Sequence, residues 1–270
     1  MKNILTLFKE QWDNRTLIWK LSLYNIKTTY ARHYLGVFWI ILMPLLQALV
    51  FWFVFGIGLR GPRGDRGEIP FIVHLLTGIF PWGFIVGSIT GGAAAILSKV
   101  GLVTKMKFPS SILITITIVG NVISLCITTV IIIFISLYNG YSNPIYYFGF
   151  FYFLLASFAL TFSTSLILSA IVIIIRDVRN LIQNVMRLFF FTSPIIWSLD
   201  TATPLLQIVT EYNPFSYLIM TYRTALVYEE GFIYGDWTNH IYFWSLTILL
   251  FYIGVHIHYR FKDKFVDYLR

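Results

Sequence analysis

Carboxylates, histidines and cysteines are the side chains that most often act as acids, bases, nucleophiles or metal ligands. Their spacing in this sequence assembles none of those centres. His33, His74, His240, His256 and His258 are scattered, and the nearest pair, two residues apart, does not share a helical face. No H-E-x-x-H zinc pattern and no G-x-x-x-x-G-K-[ST] phosphate loop occurs. Gly56, Gly58 and Gly61 fit a dinucleotide pattern, but they follow an apolar run of helical length instead of a strand, so the match carries no weight. Asp177 is the only acid between Glu68 and Asp200, and it stands beside Arg176. A proton- or sodium-coupled transporter normally needs buried acids or broken helices near the midplane. A membrane glycosyl- or acyltransferase would need acids or histidines gathered at one face. Neither set is present. The chain is expected to be no enzyme: no catalytic residue, no metal site and no cofactor of its own, with energy arriving from outside. Cys126 stands alone in an apolar run, which excludes an internal disulfide.

The composition says what must position the remaining residues. Of 270 residues, 57% are hydrophobic and 12% charged, with a net charge of +8. A soluble domain carries roughly 25% charge, so the expectation is an all-α polytopic membrane protein in one domain, 1–270. The basic excess reads as membrane topology and not as a nucleic-acid surface. Residues 1–35 show no apolar core or cleavage site of a signal peptide. Nothing charged appears between Arg32 and Arg60, nor between Lys107 and Arg176. The second run is too long for one crossing, and Asn139-Gly140 through Asn143-Pro144 supplies the turn. Six spans follow: 35–57, 71–96, 112–137, 146–175, 180–199 and 238–259. The fifth is short, with an uninterrupted apolar core only from Leu188 to Leu199. Between the last two, 200–237 has apolar patches too short to cross, broken by Glu211, Asn213 and Pro214. It reads as two half-helices that enter from the outer face and return, or else as a surface loop with two amphipathic helices. Residues 1–34 form a cytoplasmic interfacial segment, 35–259 the six-span core and 260–270 a cytoplasmic tail.

Sixteen of the twenty Lys and Arg lie in 1–35, 98–111, 176–187 and 260–270. Positive residues stay inside, so both termini are expected in the cytoplasm. Lys99–Pro109 and 176–187 are short basic loops between long spans, suited to receiving a partner's movement. In span one, Pro44 frees a backbone carbonyl and Gln47 is costly in lipid, so Gln47 should face protein or water. Gly83, Gly87 and Gly91 form a smooth face for helix packing. Aromatic residues crowd span one (Phe38, Trp39, Phe51, Trp52, Phe53, Phe55), span two (Phe80, Trp82, Phe84) and span five (Phe189, Phe190, Phe191, Trp197). Such rings stack on sugars, and they also make the interfacial belts of most membrane proteins. Residues 16–34 carry two apolar stripes, Leu17/Leu21/Tyr24 and Trp19/Leu23/Ile26/Tyr30, as for a helix touching lipid on one side and protein on the other.

Taken together, YARHYLGVFWIILMPLLQ, KMKFP, RDVRNLI, SPIIW and NPFSYLIMTYR, in that order and spacing, resemble the membrane subunits of ABC-type polysaccharide exporters. The likeness is closest to wall teichoic acid translocation permeases (the TarG type), with O-antigen export permeases as near relatives. The resemblance implies a multi-pass permease of the bacterial cytoplasmic membrane, acting as a homodimer with two copies of a separate P-loop ATPase that holds ATP and Mg. The cargo would be a polymer on an undecaprenyl diphosphate carrier, flipped to the outer face. Lys27, Arg32 and His33 would meet its head group, and Arg187 would lead it inward. Trp39, Gln47, Phe51, Trp52, Phe55, Phe190, Ser193 and Trp197 would line the path. Lys99, Lys105, Lys107, Arg176, Asp177 and Arg179 would couple to the ATPase. Teichoic acid, O-antigen and capsule permeases share this outline.

Overall fold

Long apolar runs in a membrane must close their backbone hydrogen bonds internally, and helices do so. A computed structural model describes residues 2–31, 33–59, 69–99, 101, 108–199, 202–228 and 231–262. Helices dominate, and no strand occurs among the described residues. Five helices are long and apolar enough to cross a membrane: Gly36–Gly58, Phe71–Ala94, Ser110–Asn139, Pro144–Ile174 and Trp237–Phe261. They agree within two residues with five of the expected spans. We label the α-helical parts α3 (Trp39–Phe51, flanked by tighter and wider turns), α4 (Phe71–Ala94), α5 (Ser110–Asn139), α6 (Gly149–Ile174) and α10 (Trp237–Phe261).

The fifth expected span differs. Its helix, α7, covers Val178–Thr192 and has 15 residues, about 22 Å at 1.5 Å per residue. Ser193 is already extended at ψ 147°, and Pro194 follows, so the chain leaves the helix where a proline would break it. The expected run 180–199 is thus a shorter helix plus a non-helical segment.

Beyond it lie two short helices, α8 (Pro204–Glu211) and α9 (Pro214–Arg223). Asn213 makes the turn between them: its side chain accepts from the Phe215 N–H at 2.9 Å and donates to Ser193 Oγ at 3.0 Å. Phe215 meets Trp82, eleven residues into α4, with ring centroids 6.0 Å apart, while Arg223 meets Thr77 and His74 near the start of α4. The hairpin therefore begins about halfway along α4 and runs back to that helix's first turns.

α4 is the axis of the bundle. It packs on α5, α6, α3, α7 and α9, and 78% of its most apolar window is buried, against 17% for the first span. Of its expected glycine face, Gly87 lies against Asn121 and Gly91 against Thr117 of α5, but Gly83 has open space before it. The closest approach is at Gly92, where an added Cβ would meet Ser165 Oγ and come within 2.7 Å of Ser165 Cβ on α6.

The N-terminal segment holds two helices, where one over 16–34 was expected. α2 (Arg15–Tyr30) turns Ile18 and Ser22 to α5, with Ser22 Oγ donating to the Ile116 carbonyl at 3.0 Å. Leu17 and Tyr24 of one expected stripe and Trp19 and Leu23 of the other all stay exposed, so the face that packs on protein, with Ile18 and Ser22, lies between the two stripes and not on either. α1 (Lys2–Asp13) was not legible as a helix. Its Leu7 is buried, whereas Leu5, Phe8 and Trp12 face outward, the pattern of an interfacial helix. Glu10 ties it down, accepting from Lys262 Nζ at 2.8 Å, Ser111 Oγ at 2.8 Å and Tyr259 OH at 3.1 Å. Burial pushes this carboxyl up, but those bonds and the Lys262 charge outweigh burial and hold it below its ordinary value.

Two outcomes follow from this packing. Gly92→Leu should lower the thermal midpoint of detergent-solubilised protein, with an overpacking cost of about 1–3 kcal/mol, while Gly83→Ala leaves it unchanged; equal midpoints would refute the α4–α6 contact. Because Glu10 is shifted down, its stabilisation is complete above its ordinary value of 4.5 and is lost as pH falls through the lower folded value. The midpoint advantage of wild type over Glu10→Gln should accordingly be present at neutral pH and shrink in acid.

Candidate functional site

Since α3 is fixed mainly by α4, space remains on both of its flanks. On one flank a groove of about 800 Å³ runs between α3, α4 and α5, with Tyr30, His33, Trp39, Gln47, Asn121 and Thr128 among its lining. On the other, a groove of about 440 Å³ lies between α3, α4 and α7. Its walls include Gln47, Phe51, Trp82, Gln183, Arg187 and Phe190. Gln47 lines both grooves and makes no hydrogen bond among the described residues. A primary amide held there without a protein partner is poised for water or a polar ligand.

The smaller groove gathers four residues that the sequence marked: Gln47, Phe51, Arg187 and Phe190. Their rings connect. Phe51 stacks on Phe190 with centroids 5.6 Å apart, and Phe55 follows Phe51 at 6.0 Å. Phe190 continues to Trp82 at 5.8 Å, and Trp82 to Phe215 at 6.0 Å, edge-on. Each such pair adds about 0.5–1.5 kcal/mol beyond its buried area, so the ladder joins α3, α7, α4 and α9 into one wall. Trp82 and Phe215 were absent from the expected path. Trp82 was visible only as one aromatic among several, and Phe215 is aimed inward by the Asn213 cap. Arg187 is the one charged side chain lining this groove, and it makes no hydrogen bond or ion pair among the described residues. An exposed, unpaired guanidinium beside an aromatic wall suits a planar phosphate contact.

The other marked residues are distributed as follows. His33 and Trp39 line the larger groove. Lys27 is exposed on α2 away from both, and Arg32 lies outside the described residues. Trp52 is exposed beyond the end of α3 and lines neither groove. Ser193 is fully buried and accepts from Asn213, so it holds the hairpin and does not line the path. Trp197 donates its Nε1–H to the Phe191 carbonyl at 3.1 Å, and its own carbonyl lies 3.3 Å from His74 Nε2. His74 Nδ1 bonds Tyr228 OH at 2.7 Å, which makes this histidine a structural residue.

At the opposite end, Lys99 closes a short turn after α4 and donates to Asn25 Oδ1 of α2 at 3.2 Å. Burial pushes its ammonium pKa down. That turn packs on α6, which is followed by exposed Arg176 and Asp177 and then by exposed Arg179 in the first turn of α7. Lys105 and Lys107 lie outside the described residues.

Among the described residues, five membrane-length helices, lateral grooves, an aromatic wall and an unpaired arginine in the smaller groove have the form of a transporter's membrane subunit. The chain belongs to the ABC-2 type transporter family, which it matches over residues 16–227. It is similar to the O-antigen export system permease protein RfbA of Klebsiella pneumoniae, at 25% identity over 91% of this chain and 92% of that one. It is likewise similar to the O-antigen export system permease protein RfbA of Myxococcus xanthus, at 27% identity over 84% and 86%. As a member of this family it is a membrane subunit of an ABC transporter.

If the grooves hold water, Gln47→Cys on a Cys126→Ser background should react with a membrane-impermeant maleimide on the order of tenfold faster than Val130→Cys, because a thiolate forms in water and not in lipid. Equal rates would show that the flanks of α3 are filled with hydrocarbon.

Proposed function

We propose that this chain is the permease subunit of an ATP-driven exporter that moves a polyprenyl-diphosphate-linked polysaccharide to the outer face of a bacterial cytoplasmic membrane. The observation that carries this reading is the pairing of unpartnered Arg187 with the ring ladder and the free Gln47 amide in one groove. A cation serves the carrier's diphosphate, and rings and amides serve sugars. The relatives' names favour an O-antigen-type polymer over the wall teichoic acid that the sequence motifs alone put first.

In this reading two copies of the chain assemble with two P-loop ATPase subunits that hold ATP and Mg. α7 is a short fifth span, extended by the segment after it, and α8 and α9 re-enter from the outer face. Six crossings then leave both termini in the cytoplasm. Lys99, Arg176, Asp177 and Arg179, with Lys105 and Lys107, meet the ATPase. The polar tie between Lys99 and α2 links that contact to the segment leading into span one.

Purification in mild detergent should bring down a P-loop ATPase in equal amount; a chain that purifies alone and moves solute without ATP would replace this reading with a secondary transporter. Arg187→Ala should cut surface polymer and cargo-stimulated ATP hydrolysis by roughly tenfold to a hundredfold, the worth of a lost charged hydrogen bond of about 1.5–3 kcal/mol. Arg187→Lys should keep part of both. Unchanged export in Arg187→Ala would sink the head-group route.

A further inference from the structure

A third cavity, of about 290 Å³, lies between the α8–α9 hairpin and the start of α10, away from the grooves around α3. Its lining includes Gln207 and Glu211, one turn apart on α8, Ser216 and Tyr217 on α9, and Asn239 and Tyr242 on α10. Part of this polar set is already committed. Tyr217 OH bonds Tyr152 OH at 2.7 Å and His240 Nδ1 at 2.8 Å. Tyr242 OH donates to the Tyr212 carbonyl at 2.9 Å, and Asn239 Oδ1 accepts from the Asp236 N–H at 3.0 Å. These bonds fix the rings and leave their apolar faces as walls.

What remains uncommitted has one character. The Glu211 carboxylate makes no hydrogen bond or ion pair among the described residues. Gln207 spends its amide N–H on the Leu199 and Ala202 carbonyls, so its Oε1 is spare. Ser216 is 2% exposed, and its hydroxyl has no hydrogen-bond partner. A buried hydroxyl without a partner is uncommon in native structures and calls for one. Among the described residues, no lysine or arginine lines the cavity. The spare groups are acceptors plus one hydroxyl, set among tyrosine rings. Such a site matches a ligand that donates hydrogen bonds from several directions and offers C–H faces to aromatic rings. It opposes a phosphate.

We infer that this cavity is a carbohydrate subsite for a neutral or amine-bearing sugar unit of the exported polymer, one that discriminates against polyol phosphates. The inference rests on the export reading for the membrane face and for the nature of the cargo. The size, at the lower end of small-molecule sites, limits the occupant to one or two rings. The subsite would then hold the emerging chain beside the hairpin after its carrier end has passed the Arg187 groove.

The test is saturation-transfer NMR on the full-length protein in nanodiscs, with three probes: cellobiose, the glucosamine disaccharide and glycerol 3-phosphate. Transfer is expected to both sugars and not to glycerol 3-phosphate. Glu211→Gln should weaken the glucosamine disaccharide more than cellobiose. Ser216→Ala should weaken both sugars by roughly fivefold to tenfold, the reach of one net hydrogen bond, at an unchanged thermal midpoint, since no protein group loses a partner. Transfer to glycerol 3-phosphate equal to that of the sugars would overturn the inference. So would sugar signals indifferent to both substitutions. A wild-type protein that binds no sugar while cells still display polymer through it overturns the subsite alone. Normal surface polymer in cells lacking the chain overturns the export reading instead.

Discussion

The guanidinium of Arg223 has no exposed surface, and much of the fold depends on what it bonds. Its Nε donates to Thr77 Oγ1 at 3.2 Å and its Nη2 to the His74 carbonyl at 2.9 Å, both on α4. It also donates to the carbonyls of Pro194, through Nη1, and Ile195, at 3.2 Å. The second pair explains the first. Between α7 and α8 the chain leaves helical geometry, and a non-helical carbonyl at membrane depth has no water to meet. Arg223 supplies those donors, so the break after α7 is tolerable only where α9 delivers this side chain. Gly78 makes room: a Cβ there would stand 2.8 Å from Nη2. The clasp thus binds the broken segment, the hairpin and the central helix in one contact.

With α4 held in this way, the bundle is rigid on one side and open on the other. The helices that contact α4 most, α5 and α6, bury its flanks. α3 instead keeps Met43, Leu46, Leu49 and Val50 exposed, and α7 keeps Leu181, Val185 and Leu188 exposed. These are the two helices that flank the Arg187 groove. In the proposed homodimer they are the faces left for a second copy, which would turn a lateral groove into an enclosed passage. In that assembly the apolar exposure on α3 and α7 and the polar lining between them would have one cause, the second copy that completes both helices.

How much of this was legible depended on the length scale of the signal. Five spans were readable because a charge-free run of helical length has few alternatives in a membrane. α7 was not, since its amphipathic first turns and the Ser193–Pro194 break look, in sequence, like one short span. α1 was missed because KNILTLFKEQWD alternates charge with apolar residues, and its inward Leu7 and Glu10 declare themselves only beside Ser111, Tyr259 and Lys262. At the site, Gln47, Phe51, Arg187 and Phe190 were marked by type, a polar or aromatic residue in an apolar run. Trp82 and Phe215 carried the same type but no sign of direction. Ser193 shows the reverse error: a small polar residue near the path is consumed by Asn213. Arg223 is one of the four Lys and Arg outside the basic segments and was not marked, because no local pattern reports that α4 and residues 194–195 converge on it.

The site's polar groups divide by sign, and that division would constrain how the proposed carrier-linked polymer passes. The Arg187 groove offers a cation and two rungs of aromatic rings. The cavity by α8–α10 offers a carboxylate, a spare amide oxygen and an unpaired hydroxyl, with no cation among the described residues. On the export reading a diphosphate would be stabilised in the first and repelled by the second, while a hydroxyl-rich chain would find acceptors for its hydrogen bonds in the second. The hairpin lies between them, pinned by Asn213 to the end of α7 and by Arg223 to α4. Any motion that widens the Arg187 groove by shifting α7 must pull on Ser193, and through Asn213 on the turn of the hairpin. The cavity is therefore joined to the groove by the contacts between the hairpin and the end of α7: Asn213 Nδ2 donates to Ser193 Oγ at 3.0 Å, Thr210 Oγ1 donates to the Thr192 carbonyl at 3.4 Å, and Phe189 meets Phe215 at 5.0 Å.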